Sequence, residues 1–164
     1  MKRREPQLAP IDLAEVSADV IGLMGGEARE LQLRLALEAP ETPLPRVMAD
    51  RILIEQVIVN LIRNGIEAMA EDPASGDTMT LRAAPEDGML RLDLADRGAG
   101  IPADMADRLF DAFTSTKSQG MGMGLNICRS IVEMLHGSLS FAPNPEGRND
   151  LFPLPARDDC PGRP

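Results

Sequence analysis

Two asparagines four residues apart, Asn60 and Asn64, stand in the run IEQVIVNLIRNGIEAM. With side chains advancing about 100° per helical residue, they share one narrow stripe with Gln56 and Glu67. Ile54, Val57, Ile58, Leu61, Ile62, Ala68 and Met69 cover the broad apolar face. Asn is a poor helix former, and an exposed helix face is ordinarily filled with Lys, Glu and Arg. Two neutral amide oxygens at one height suit Mg²⁺ instead, because that ion takes few protein ligands and completes its octahedron with phosphate oxygens and water. The competing reading is a solvated face that happens to hold amides.

A second constellation is DRGAGIP, which begins at Asp96 and follows the alternating run MLRLDLA. Asp96 has the parity of Leu90, Leu92 and Leu94, which puts it on the core side of a strand. A carboxylate there needs partners, since an unpaired ion in low dielectric costs several kcal/mol. It either caps the turn at Gly98 and Gly100 or accepts from an exocyclic amine such as adenine N6, with the glycines letting the backbone approach the ring. A third constellation, GMGMGL, places Gly120, Gly122 and Gly124 before an apolar-periodic helix. Free N–H groups at a helix N-terminus attract phosphate, although a glycine run there is also a common plain loop. No GxxxxGK[ST] occurs, and nothing matches GxGxxG after a strand with a ribose-binding acid downstream.

Between the two glycine clusters lie roughly 20 residues, a length that in a compact domain is functional or disordered. That connection holds two of the chain's four Phe, Phe110 and Phe113, as candidate anchors. Its Lys117 is either a phosphate contact or a solvated surface lysine. The methionines at 105, 121 and 123 are candidate gap fillers.

The elements that must hold these residues can be read from periodicity. Asp12 and Glu15 form a capping-box-like start to a helix with Leu13, Val16, Val20, Leu23 and Met24 at helical spacing, stopped by Gly25 and Gly26. LQLRLALE, residues 31 to 38, alternates as a strand, and RVMAD is a second short candidate. Asp50 to about Ala70 reads as the long Asn-bearing helix. TMTLRAA and MLRLDLA, separated by PEDG, read as a hairpin. LNICRSIVEMLHG forms another helix, with His136 in its last turn and Gly137 at the C′ position. SLSFA and DLFPLPA look like closing strands. This mixture without strict alternation predicts an α+β fold, a two-layer sandwich with one mixed, mainly antiparallel sheet and helices on one face.

Composition narrows the function. The 164 residues, 43% hydrophobic and 26% charged, suit one folded domain with a real core. A net charge of −9 with no basic stripe argues against nucleic acid and acidic membranes as partners. Only Cys128 and Cys160 are present, without disulfide or zinc spacing, which suits a reducing compartment. No apolar run reaches the roughly 18 residues of a membrane span, and MKRREPQ lacks a signal peptide's apolar region, so a cytoplasmic domain is expected.

Taken in order, the Asn-x-x-x-Asn helix, the strand ending Asp-x-Gly-x-Gly, the Phe-containing loop and Gly-x-Gly-x-Gly-Leu resemble the catalytic and ATP-binding domain of bacterial sensor histidine kinases. That family lies within the superfamily that includes gyrase, heat-shock chaperones and mismatch-repair proteins. The resemblance spans about residues 10 to 156, and LFDAFTSTKSQGMGMGL looks most like the oxygen- and nitrogen-sensing branch. It implies the Bergerat ATP-binding fold and ATP with Mg²⁺ as cofactors. Asn60 and Asn64 match the N box, with Asn64 the preferred metal ligand. Asp96, Gly98 and Gly100 match the adenine-selecting G1 box, and Phe110 and Phe113 match the F box. Gly120, Gly122, Gly124 and Leu125 match the G2 box at the triphosphate, and a lid spans about 98–124. Where gyrase-like enzymes carry a general-base Glu, this chain has Asn60.

The implied reaction is transfer of the γ-phosphoryl group to a histidine on a dimerisation domain, then relay to a response-regulator receiver domain. The chain departs from the family in lacking a phosphoacceptor, since His136 is read as a helix-end residue. Gly65 stands where Ala is usual, and Pro153 should lie at a sheet edge or end. MKRREP resembles the stretch after the dimerisation helices, so residues 1–9 are expected to be a linker remnant, 10–156 the domain and 157–164 a flexible tail, in a piece of a longer kinase or, as the alternative, a stand-alone module. Two other functions share these residues: a degenerate module that binds nucleotide or a partner without catalysis, and a serine kinase of the anti-sigma type.

Overall fold

The computed structural model describes residues 5–41, 44–70, 77–86, 88–96, 121–144 and 147–155. In chain order the elements are β1 (Ala9–Ile11), α1 (Leu13–Glu30), β2 (Arg34–Glu38), β3 (Val47–Ala49), α2 (Arg51–Ala70), β4 (Thr78–Glu86), β5 (Met89–Asp96), α3 (Met121–Met134), β6 (Ser140–Asn144) and β7 (Gly147–Pro155). One five-stranded sheet runs β2-β4-β5-β7-β6, and a separate pair joins β1 to β3. Among the described residues only β2 and β4 are parallel, and the other pairings are antiparallel. The expected α+β sandwich with a mixed, mainly antiparallel sheet is therefore present.

Strand alternation decides which face the helices cover. Met79, Leu81 and Ala83 of β4 and Leu90, Leu92 and Leu94 of β5 are all buried, whereas Arg82 and Ala84 are exposed. The buried side meets α2, whose Ile54, Val57, Ile58, Leu61, Ile62, Ile66 and Met69 are all at most 2% exposed. Helix α2 contacts both other helices and β5. The thiol of Cys128 in α3 reaches the Val57 carbonyl of α2 at 3.9 Å. The Asn-bearing helix is thus the central member of the helical layer.

Helix α1 begins where expected, with the Asp12 carboxylate accepting from the backbone N–H groups of Ala14 and Glu15. It does not stop at Gly25 and Gly26 but runs on to Glu30. Each interior glycine costs about 0.5–1 kcal/mol. The buried series Val16, Val20, Met24 and Ala28 continues at four-residue spacing across both glycines, and its burial outweighs that cost.

Two helix ends correct the sequence reading in a common way. After α1, Gln32 has φ +61, its N–H reaches the Arg29 carbonyl at 2.9 Å, and the Leu33 N–H reaches the Ala28 carbonyl at 2.9 Å. The paired bonds define a Schellman motif with Gln32 at C′. The alternation of residues 31–33 therefore belongs to the helix end, and β2 begins only at Arg34. After α3 the same pattern recurs: His136 has φ +65, its N–H bonds to Glu133, and the Gly137 N–H bonds to Val132. His136, and not Gly137, occupies C′, because a side chain tolerated in the left-handed region suffices there.

Proline placement follows from the register. β2 pairs with β4 only along Thr78–Arg82, and β6 pairs with β7 only along Gly147–Leu151. Pro85, Pro153 and Pro155 lie past those limits, where their strands have one neighbour, and Pro143 is on the outermost strand β6. β7 is interior to the sheet, yet Pro153 sits in the stretch of it that is an edge on one side. A missing backbone donor is harmless there.

Candidate functional site

Helix α2 is set by its first residues. Asp50 is 1% exposed, and its Oδ1 accepts from the backbone N–H groups of Ile52 at 3.0 Å and Leu53 at 3.3 Å. This N-cap satisfies two donors that would otherwise be orphaned at the helix end. Oδ2 of the same carboxylate accepts from the Gln7 N–H at 2.8 Å, 43 residues upstream. Arg51 reaches across to α1, pairing with Glu15 at 3.3 Å and with Asp19, while its Nε bonds to Glu55 at 3.1 Å. The Glu55 bond is the largest cause holding the guanidinium pKa above its ordinary value.

The polar stripe on α2 is graded rather than wet. Gln56 is exposed, Asn60 half-buried, Asn64 only 8% exposed and Glu67 half-buried again, so the reading of a plain solvated face fails at Asn64. Gly65 beside Asn64 is buried as well. Among the described residues the Nδ2 of Asn64 has no hydrogen-bond partner. A buried donor left unmade costs about 1–3 kcal/mol, which a native fold rarely accepts without a use for the group. The two ends of an amide exchange by a half-turn about its last torsion. The same spot can therefore offer a donor to a phosphate oxygen or an oxygen to a hard cation, and the donor set fits the Mg²⁺ and ATP that the resemblance implies.

Asp96 is the last residue of β5, and its backbone is aligned with that of Arg148 of β7. Helix α2 contacts β5, so the Asn helix and the Asp strand belong to one layer interface. Gly122, Gly124 and Leu125 lie within the first turn and a half of α3, which starts at Met121, four residues before the helix expected from periodicity. The glycines thus form the helix N-terminus itself, because a helix needs only favourable backbone angles and Gly permits them. Gly98, Gly100, Phe110, Phe113, Lys117 and Gly120, with most of the 98–124 lid, lie outside the described residues.

Sequence reasoning passed over Asp50 as a bare helix start and did not single out Arg51. An Asp immediately before an apolar-periodic run is a recognisable N-cap signal. Its second bond, to Gln7, has no local signature.

The sequence pattern of histidine kinase-, DNA gyrase B-, and HSP90-like ATPases matches residues 49–155 of this chain. The C4-dicarboxylate transport sensor protein DctS of Rhodobacter capsulatus is 56% identical over 147 residues, 90% of this chain and 22% of DctS. With the next sensor proteins it matches, the chain spans between 16% and 28% of the relatives' length. Among solved structures, full-length ShkA in complex with AMPPNP is similar with TM-score 0.82 and 26% identity, over 98% of this chain and 33% of that one. Histidine kinase ThkA in complex with the response regulator protein TrrA is similar with TM-score 0.79 and 26% identity, over 95% of this chain and 44% of that one.

Proposed function

Because this chain belongs to the family of histidine kinase-, DNA gyrase B-, and HSP90-like ATPases, we propose that it binds Mg·ATP and donates the γ-phosphoryl group to a histidine on a separate dimerisation domain. A receiver-domain aspartate of a response regulator then takes the group. The observation that carries this reading is the buried, unpaired amide end of Asn64 on the central helix.

Each residue's part follows from its chemistry. Asn64, with Asn60 one turn earlier, offers neutral oxygens to the metal, which when bound neutralises and orients the phosphates. Asp96 accepts from the adenine amine, with Gly98 and Gly100 allowing the ring to approach. Gly120, Gly122, Gly124 and Leu125 present N–H groups to the triphosphate at the start of α3, assisted by Lys117. Phe110 and Phe113 anchor the lid. An amide at position 60 cannot abstract a proton, so water is not activated from this helix. Catalysis then rests on holding the phosphoryl group in line for a nucleophile delivered from outside.

The nucleophile is not in this chain. Its single histidine, His136, is exposed and occupies the left-handed position that ends α3. Among the described residues no helix is long and apolar enough to cross a membrane.

Calorimetric titration of ATP, ADP and GTP, with and without Mg²⁺, tests the site. Adenine-selective, Mg²⁺-dependent binding that is lost in Asp96→Asn is expected. Incubation with a supplied dimerisation domain then tests the transfer, which should yield an acid-labile phosphohistidine. Binding without transfer to any such domain would identify a degenerate, non-catalytic module, and an acid-stable phosphoprotein would identify a serine kinase.

A further inference from the structure

Among its contacts the carboxylate of Asp50 makes bonds to two unrelated parts of the chain. One oxygen caps the helix that carries Asn60 and Asn64, and the other holds the backbone N–H of Gln7. The residue is 1% exposed, so neither bond is diluted by solvent. Around it the N-terminal ends of α1 and α2 are tied into one knot. β1 runs directly into the Asp12 cap of α1, β3 runs directly into Asp50, and the two strands pair Ala9 with Ala49, Pro10 with Met48 and Ile11 with Val47. Arg51 adds ion pairs from α2 to Glu15 and Asp19 of α1.

We propose that Asp50 is a positioning residue that couples the segment entering β1 to the nucleotide site, through α2 as a rigid rod. The inference rests on the ATP-binding reading above and adds its regulation. From Asp50 to Asn64 the helix covers about 20 Å at 1.5 Å per residue. Its apolar face is buried from Ile54 to Met69, and in this proposal the helix carries a displacement at its cap to the asparagines as one body. A domain joined ahead of residue 5 that pulls on or rotates this segment thereby changes how Asn60 and Asn64 meet Mg·ATP. Coupling is reciprocal, so bound nucleotide must in turn tighten the Gln7–Asp50 contact.

The different partners of the two oxygens permit a test in which variants at both ends of the Gln7–Asp50 bond must agree. Asn is as good an N-cap as Asp, but it has one carbonyl oxygen. Asp50→Asn therefore keeps the cap and turns an N–H end toward the Gln7 N–H. Gln7→Pro removes the donor and leaves Asp50 untouched, while Gln7→Ala keeps the backbone donor and serves as control. The whole chain is followed by hydrogen exchange with and without Mg·ADP, and by calorimetry with the same ligand. In the wild type and Gln7→Ala, Mg·ADP should slow exchange at the amides within residues 8–11, those of Leu8, Ala9 and Ile11 since Pro10 has none, by about 5-fold or more. In Asp50→Asn and Gln7→Pro that protection should vanish and Kd should weaken by a similar factor, with the cooperative unfolding transition kept. Wild-type Kd in both variants, or nucleotide binding that leaves residues 8–11 unprotected, would overturn the coupling alone. Failure of the wild type to bind any nucleotide would overturn the ATP reading, and the coupling with it.

Discussion

Asn64 is the residue at which stability and function oppose each other. A side chain 8% exposed with an amide end unpaired is a cost that an isolated domain would shed. Replacement by an apolar group of similar shape removes the unpaired donor and keeps the volume. Asn64→Leu should therefore raise the stability in urea by about 1 kcal/mol. In the same variant Mg²⁺-dependent nucleotide affinity should fall at least about tenfold, since one oxygen ligand to a hard cation is lost. An amide that served only the fold would give the reverse pair of results, destabilisation with unchanged binding. The type and spacing of this residue were legible in the sequence, but its burial was not. A stripe of amides looks the same in sequence whether it faces water or a neighbouring helix, and only the packing of the helical layer distinguishes Gln56 from Asn64.

At the scale of the element, helix α1 runs past its local stop signals because its buried stripe continues. Gly25 and Gly26 were read as the end of α1, yet the helix carries on to Glu30 and finishes in a Schellman turn. A Cβ built at either glycine meets nothing within 4 Å. Gly25→Ala and Gly26→Ala should each stabilise the domain by about 0.5–1 kcal/mol, read as a shift in the urea midpoint at constant slope. Nothing in the structure explains why glycine stands at these two positions. The helix ends were misread for a related reason. Gln32 and His136 take the left-handed C′ position that composition alone would give to Gly137 or leave unassigned. Local propensity ranks residues for a position, but the hydrogen bonds offered back by the finished helix choose the position itself.

For the whole molecule, the layer interface carries the fold. β5 lies in the middle of the sheet, between β4 and β7, and its Leu92 is fully buried. Truncating it leaves a cavity that neighbours on both sides cannot collapse into without breaking register. Leu92→Ala should cost about 2–5 kcal/mol, a large part of the roughly 5–15 kcal/mol that a domain has in total. Thermal unfolding followed by far-UV circular dichroism would record the loss, a suitable probe in a chain with no Trp or Tyr.

The sequence by itself determined the kinds and order of the main elements, the hairpin of β4 and β5, the family, and the residue types at the site. These are local quantities: hydrophobic period, cap residues, glycine spacing and strand alternation. Tertiary structure alone decided that β2 runs parallel to β4, that β7 slips between β5 and β6, that Asn64 is buried, and that the backbone of Gln7 meets the carboxylate of Asp50. Each of those joins segments far apart in the chain, and the last joins residues 43 positions apart. Such a contact is favourable only after other segments have packed and excluded water from it. Its energy is a property of the assembled layers, and no window of sequence contains it.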